Sequence, residues 1–301
     1  MTRILVLGAG GMLGHTLFRH LAMNTTYEVH GTVRGGATMP DSHTATLHGV
    51  GTLHGHVDVL DRGTLLATLD AIRPDVILNC VGLIKQRESS LNVEEAIAIN
   101  ALLPHQLAGW CNAHGSRLIH FSTDCVFAGD RGDYREADHA DADDLYGRSK
   151  YLGEVNYGRH LTIRTSLIGH ELTNHLSLVD WFLGAKAPVS GYAQVVFSGL
   201  PTIEIAHIIQ NYILPHDDLC GLYHLSAAPI DKDRLLRLIA SAYGRRTQVL
   251  RSEHPRLDRS LNSEPLRHEL NYSPPSWEKL IADMHSDYIR HYSAVREEAV
   301  S

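Results

Sequence analysis

The chain has little that would hold a polyanion, crosslink the fold or cross a membrane. Its 301 residues carry 27 Lys and Arg against 34 Asp and Glu, and only five of the cations are lysines. A net charge of −7 supplies no basic field for a nucleic-acid backbone, which excludes general nucleic-acid binding. A small anion remains admissible, because a few backbone N–H groups and one or two arginines suffice to hold it. Four cysteines, Cys80, Cys111, Cys125 and Cys220, show neither C-x-x-C spacing nor the density of a disulfide scaffold, so a reduced, intracellular setting is expected. The 21 histidines form no H-E-x-x-H pattern, and no metal is expected. No segment reaches the roughly 18 apolar residues that span a bilayer. The opening stretch MTRILVLGAGGMLGHTLF starts like a secretory signal, but four glycines interrupt it and suit a turn better. A cytoplasmic protein with no membrane partner is the expectation.

What is present is a repeated strand and helix alternation. RILVL (3 to 7) is a compact apolar run ended by Gly8, and MLGHTLFRHLA then places Leu13, Leu17 and Leu21 at helical spacing. YEVHGTV and HVDVL read as strands, DRGTLLATLDAIRP as a helix capped by Asp61 and stopped at Pro74, and DVILNCVG as a strand. A helical region from about 92 to 113 ends near Gly115, and RLIHFSTDCVF and LTIRTSLIG follow as fifth and sixth strands. Strands that are continuously apolar predict a sheet buried on both faces, hence an α/β fold with a doubly wound, Rossmann-like parallel sheet. Residues 35 to 52 lack any period and read as a surface connection. The loop AGDRGDYREADHADADD (128 to 144) holds seven carboxylates and reads as solvated. After residue 165 the alternation fades into the helices LSLVDWFLGA, TIEIAHIIQNYI and KDRLLRLIASAYG, the strand GLYHLS, and a last helix entered through Pro274 and Pro275. The expected division is a dinucleotide-binding domain over 1–165, joined by part of 200–228, and a smaller mixed α/β substrate-binding lobe over 166–301.

Gly8, Gly11 and Gly14 form G-x-x-G-x-x-G directly after the first strand, with Met12 and Leu13 opening the helix. Glycine at such positions tightens the turn, lets a pyrophosphate approach the backbone and packs helix on sheet. The end of the second strand, HGTVRGG, offers Thr32 and Arg34 and no carboxylate. An acid there would accept the ribose 2′-OH of NADH, whereas a guanidinium pairs with a 2′-phosphate, so NADPH is expected over NADH.

LYGRSKYLGE sets Tyr146 four residues before Lys150. Twelve tyrosines and five lysines predict only about 0.2 such pairs by chance, which makes the pair suggestive and its neighbours decisive. FSTDCVF brings Ser122 and Thr123 to the carboxyl end of the fifth strand, where ligands of parallel sheets sit. Hydride addition to a ketone leaves an alkoxide that needs a proton from a positioned acid, and a lysine one helical turn from a phenol is expected to favour its ionised form.

With these motifs the chain resembles an extended short-chain dehydrogenase/reductase and, more narrowly, the dTDP-4-dehydrorhamnose reductase family of sugar nucleotide reductases. The resemblance runs over nearly the whole chain, on GAGGMLG, NCVG, Asn100, STDCVFAG, GDYREAD, YGRSK, RTSLIGHE, SGLPTIEIA, GLYHLS and SWEKLI. It implies NADPH-dependent reduction of the 4-keto group of a nucleotide-linked 6-deoxy sugar, for polysaccharide or glycoside biosynthesis. In that reading Thr123 bonds the substrate carbonyl, Tyr146 donates the proton and Lys150 holds the nicotinamide ribose. Ser122 faces the same crevice. Asp58 and Val59 match the adenine-contacting step, Cys80, Val81 and Gly82 pass beneath the ribose, and Asn100 matches the structural asparagine. Lys85 and Gln86 are placed to reach substrate or cofactor, and Trp181, Lys186 and Arg259 are expected at the base and diphosphate.

The chain also departs from its relatives. Many members carry an aromatic residue where Cys125 stands, and the sugar 4,6-dehydratases have an Asp-Glu pair where this chain has Asp124 and Cys125, so dehydration is not expected. GDP-4-keto-6-deoxymannose epimerase/reductases use a cysteine and a histidine for proton transfer, which makes a bifunctional epimerase/reductase with Cys125 and His170 the first alternative. A non-catalytic NADP-binding regulatory subunit is the second. The sugar, the nucleotide and the oligomeric state, a homodimer included, stay open.

Overall fold

The computed structural model describes residues 1–36, 47, 49–83, 92–173 and 176–292. Its first part runs β1 (Thr2–Leu7), α1 (Met12–Ala22), β2 (Tyr27–Thr32), β3 (Thr52–His54), α2 (Arg62–Ile72), β4 (Val76–Asn79), α3 (Val93–Ala96), α4 (Leu103–His114), β5 (Arg117–Thr123), α5 (Leu145–Leu152) and β6 (Leu161–Thr165). These six strands and Gly221–His224 form one parallel sheet in the order Gly221–His224, β6, β5, β4, β1, β2, β3. The order reverses between β1 and β4, and in such sheets the crevice for a ligand opens there, beyond the strands' carboxyl ends.

Alternation along β1 explains the double winding. Ile4 and Val6 pack with Leu13, Leu17 and Leu21 of α1 on one face. Leu5 and Leu7 pack with Leu65 and Leu69 of α2 and Leu103 and Leu107 of α4 on the other. Every residue of β5 is buried, as a strand covered on both faces must be. Helix ends follow local chemistry. Asp61 accepts from the backbone N–H groups of Gly63 and Thr64 at 3.0 and 3.2 Å, and Gly115 ends α4 in the left-handed region.

Several expectations are corrected. HVDVL is not a strand: His56 has φ 57° and Val57 N–H turns back to the Val33 carbonyl, so the third strand is Thr52–His54. Leu47, read as part of a surface connection, is fully buried in the core. The sixth strand breaks at Ser166, where Leu167–Ile168 leaves the sheet to pair with Leu200–Pro201. The second part also contains strands too short to leave a periodic signal. Val195–Phe197 lies between Ile230–Asp231 and Leu257–Asp258, and Val189–Tyr192 pairs with Val249–Ser252. The acidic loop is docked as well as solvated, since Tyr134 stacks on Phe127 at 4.2 Å and exchanges backbone hydrogen bonds with Ser260 and Asn262. Among the described residues no helix is long and apolar enough to cross a membrane.

Candidate active site

At the first turn the glycines are sterically required. Gly8 has φ 86°, and a Cβ on Gly14 would lie 2.1 Å from the Gly8 carbonyl oxygen. The turn therefore seats α1 hard on β1. Gly11 caps α1 with no side-chain hydrogen bond, so the first-turn N–H groups of Met12, Leu13 and Gly14 have no side-chain cap and suit an anion. The Leu13 side chain is in the core, which leaves only its backbone for a ligand. Thr32 is corrected in the same sense: it is 2 % exposed and its hydroxyl accepts from Gly8 N–H at 3.1 Å, bracing the turn. Arg34 is exposed beyond β2. Asp58 is exposed in the turn after β3, accepting from Leu60 N–H at 2.9 Å, and Val59 is half-buried beside it.

Across the switch point, Cys80, Val81 and Gly82 follow β4. Burial pushes the Cys80 thiol far up, so it stays protonated. Asn100 is not placed on the cofactor. It sits in a π-helical insertion, Ile97–Leu102, between α3 and α4, and its amide clamps both backbone groups of Leu83 (2.9 and 3.3 Å) and reaches Ser149 Oγ at 3.2 Å. It thus ties the loop after β4 to α5. Lys85 and Gln86 lie outside the described residues.

Three groups meet at the end of β5. Thr123 caps the 3₁₀ turn Asp124–Val126, its hydroxyl accepting from Cys125 N–H at 3.1 Å and donating to Asp124 at 3.2 Å. The Tyr146 phenol stands close enough to the same hydroxyl to feel its influence. Close packing achieves this: a Cβ on Gly147 would lie 2.2 Å from the Cys125 carbonyl oxygen, so the glycine after Tyr146 lets α5 press onto the Thr123 turn. Asp144 caps α5 through Gly147 N–H at 2.7 Å. The expected pull of Lys150 toward the phenolate does not dominate: withdrawal from water raises the Tyr146 pKa, Cys125, Asp124 and Asp144 add to this and Thr123 opposes it, so the phenol keeps the proton expected of a donor. Lys150, 5 % exposed, donates to the Phe121 carbonyl at 2.7 Å, and burial pushes it down to about 8 against the pull of Glu154.

Ser122 is corrected too. Its hydroxyl donates to Glu154 at 2.7 Å and is not free in the crevice. His170 does not reach Cys125: it is 3 % exposed, its Nδ1–H donates to Asp180 at 2.7 Å and its Nε2 accepts from Tyr243 at 2.8 Å, so no ring nitrogen is left for a substrate. Trp181 and Lys186 are exposed on and after the helix Leu178–Gly184.

Arg259 is brought in. Its Nε donates to the Phe127 carbonyl at 2.7 Å and its Nη1 lies 3.9 Å from Cys125 Sγ. No sequence pattern marked Lys232, which opens the helix Lys232–Ala242 after the short strand Ile230–Asp231. Burial lowers its pKa, while Asp124 and Cys125 raise it and Arg259 lowers it, so the four groups are within electrostatic reach of one another. Asp124 is itself pushed up by burial, against Arg259 and hydrogen bonds from Thr123, Cys125 and Ser166. The site is therefore a proton-bearing phenol and a hydroxyl beside an uncapped helix N-terminus, with two cations on the lobe side.

The family model for the RmlD substrate binding domain matches residues 1–289. A dTDP-4-dehydrorhamnose reductase of Aggregatibacter actinomycetemcomitans is 26% identical over 239 residues, 76% of this chain and 74% of that protein. The spore coat polysaccharide biosynthesis protein SpsK of Bacillus subtilis is 24% identical over 297 residues, 94% of this chain and 96% of its own. The crystal structure of a dTDP-4-dehydrorhamnose reductase from Bacillus anthracis in complex with NADP superposes with a TM-score of 0.75 at 24% identity, covering 95% of this chain and 99% of that one. A site of this composition at the switch point, under a family model that matches nearly the whole chain, places the protein: it belongs to the RmlD substrate binding domain family.

Proposed function

We propose that the protein reduces the 4-keto group of a nucleotide-linked 6-deoxy-4-keto sugar with NADPH, in the assembly of a polysaccharide or glycoside. The observation that carries this reading is the Tyr146 phenol, kept protonated by burial beside the Thr123 hydroxyl at the carboxyl edge of β5. The names of the relatives, reductases of dTDP-linked keto sugars, support the substrate class.

The residues fit a dinucleotide. The Gly8 to Gly14 turn seats α1 closely on β1, the first turn of α1 has no side-chain cap and is open to a pyrophosphate, and exposed Arg34 suits a 2′-phosphate. When bound, the nicotinamide supplies the hydride. Residues 1–165 with Gly221–His224 hold the cofactor, and 166–301 the sugar nucleotide. Thr123 orients the ketone oxygen, Tyr146 gives it the proton, and Lys150 fixes the ribose beside them. Asp124, Cys125, Arg259 and Lys232 face the sugar and its charged substituents. The epimerase reading loses its second proton carrier with His170 engaged elsewhere. The same reading places the reaction in the cytoplasm and admits a homodimer.

Loss of NADPH absorbance with a panel of nucleotide 4-keto sugars tests the proposal. Binding of NADPH without oxidation by any of them would favour a regulatory subunit. Arg259→Leu and Lys232→Met are each expected to raise KM for the sugar nucleotide by about 10- to 100-fold, the worth of one charge-assisted hydrogen bond. With kcat changed only a few-fold, steady-state kinetics would show binding shared by ground and transition states.

A further inference from the structure

A chain of hydrogen bonds runs beneath Lys150 and fixes a proton that nothing else in the site determines. Val81 N–H, which can only donate, reaches Asn79 Oδ1 at 3.2 Å. That orients the amide, so Asn79 Nδ2 donates to His120 Nδ1 at 3.1 Å. His120 lies on β5, is fully buried, and burial and then the Lys150 charge hold it neutral. A neutral imidazole that accepts at Nδ1 carries its proton on Nε2, and Nε2 lies 3.5 Å from Lys150 Nζ. An ammonium has no lone pair, so the two donors oppose each other. A neutral amine accepts the Nε2–H.

We propose that His120, locked as its Nε2–H tautomer by Asn79, is a positioning residue that acts through Lys150 and sets the pH at which the catalytic ammonium loses its charge. The other groups facing Lys150 act in the opposite sense or on His120. Glu154, after α5, favours the ammonium, although it is shared with Arg164, and Cys80, after β4, keeps its proton and brings no charge. His105 on α4 disfavours a charge on His120. Tyr146 on α5 is protonated and brings no charge. Burial already lowers Lys150 to about 8, and a lysine so lowered is cationic below that value and loses its charge as pH rises through it, so reduction that needs the ammonium falls on the alkaline side.

The catalytic consequence rests on the reductase reading, whereas the titration does not. With only five lysines in the chain, selectively labelled lysine side chains can be followed by NMR across pH. In His120→Gln the side-chain oxygen turns to accept from Lys150, and the midpoint of Lys150 is expected to rise by about one pH unit or more. The alkaline limb of kcat should move with it. In the wild-type chain, long-range nitrogen–proton correlation is expected to show His120 protonated at Nε2 alone. An unmoved or lowered Lys150 midpoint in the variant, or an Nδ1–H tautomer or imidazolium in the wild type, would overturn the proposal. A shifted midpoint in a chain that oxidises NADPH with no keto sugar would leave this inference standing and sink the reductase reading alone.

Discussion

Tyr146→Phe is expected to lower kcat for the keto sugar by about 10²- to 10⁴-fold, the range for loss of a positioned proton donor, while NADPH binding stays within a few-fold. The substitution keeps the ring that packs on the Thr123 turn and removes only the hydroxyl. Because withdrawal from water holds the phenol protonated, the proton is in place at neutral pH and reduction is the favoured direction for this group. Of the other two groups at that point, Thr123 already donates to Asp124 and the Lys150 ammonium is turned to the Phe121 carbonyl, so neither replaces the phenol. Single-turnover kinetics at saturating NADPH would check this by separating the chemical step from cofactor binding. A variant that retains more than a tenth of the wild-type rate would exclude Tyr146 as the donor.

Glu154→Ala is expected to destabilise the fold by about 3–5 kcal/mol, the cost of stranding one half of a buried ion pair. Arg164 sits in β6 and is 2 % exposed. Its Nε and Nη2 donate to the two oxygens of Glu154, each at 2.7 Å, its guanidinium lies 5.1 Å from the centre of the Phe127 ring, and its Nη1 donates to His224 at 3.3 Å. No water reaches the guanidinium to replace the lost carboxylate, and Ser122 loses its acceptor in the same step. Typical domains hold only about 5–15 kcal/mol, so the fall in urea midpoint should be large. Glu154→Leu combined with Arg164→Met should recover most of the loss, because two apolar side chains leave no buried charge. Equal destabilisation in the single and double variants would show that the site depends on shape and not on the unpaired charge. Glu154→Ala also removes an anion that holds Lys150 up, so its midpoint should fall below about 8.

Some of the site was legible because its chemistry is local. A glycine turn, a strand ending in Ser-Thr and a tyrosine four residues before a lysine are contiguous patterns, and the residues they name do converge. The corrected residues share a different property. Ser122, Thr32 and Asn100 have the right chemistry near the right place, but each hydroxyl or amide is bound by a partner far along the chain: Glu154, Gly8 and Leu83. His170 failed for the same reason, since Asp180 and Tyr243 occupy its ring. Arg259 reaches Cys125, and Lys232 comes within its electrostatic reach, through strands of two or three residues, below the length at which periodicity can be read.

By itself the sequence determined the doubly wound sheet and named the candidate reacting groups, because runs of apolar residues and the spacing of a turn are properties of neighbouring positions. Only the tertiary structure decided which polar atoms face the crevice and which protons they carry. Burial and partner choice depend on residues that are distant along the chain, and it is these that keep Tyr146 protonated, turn Lys150 toward His120 and close the ring of Arg164 and Glu154 beneath the site.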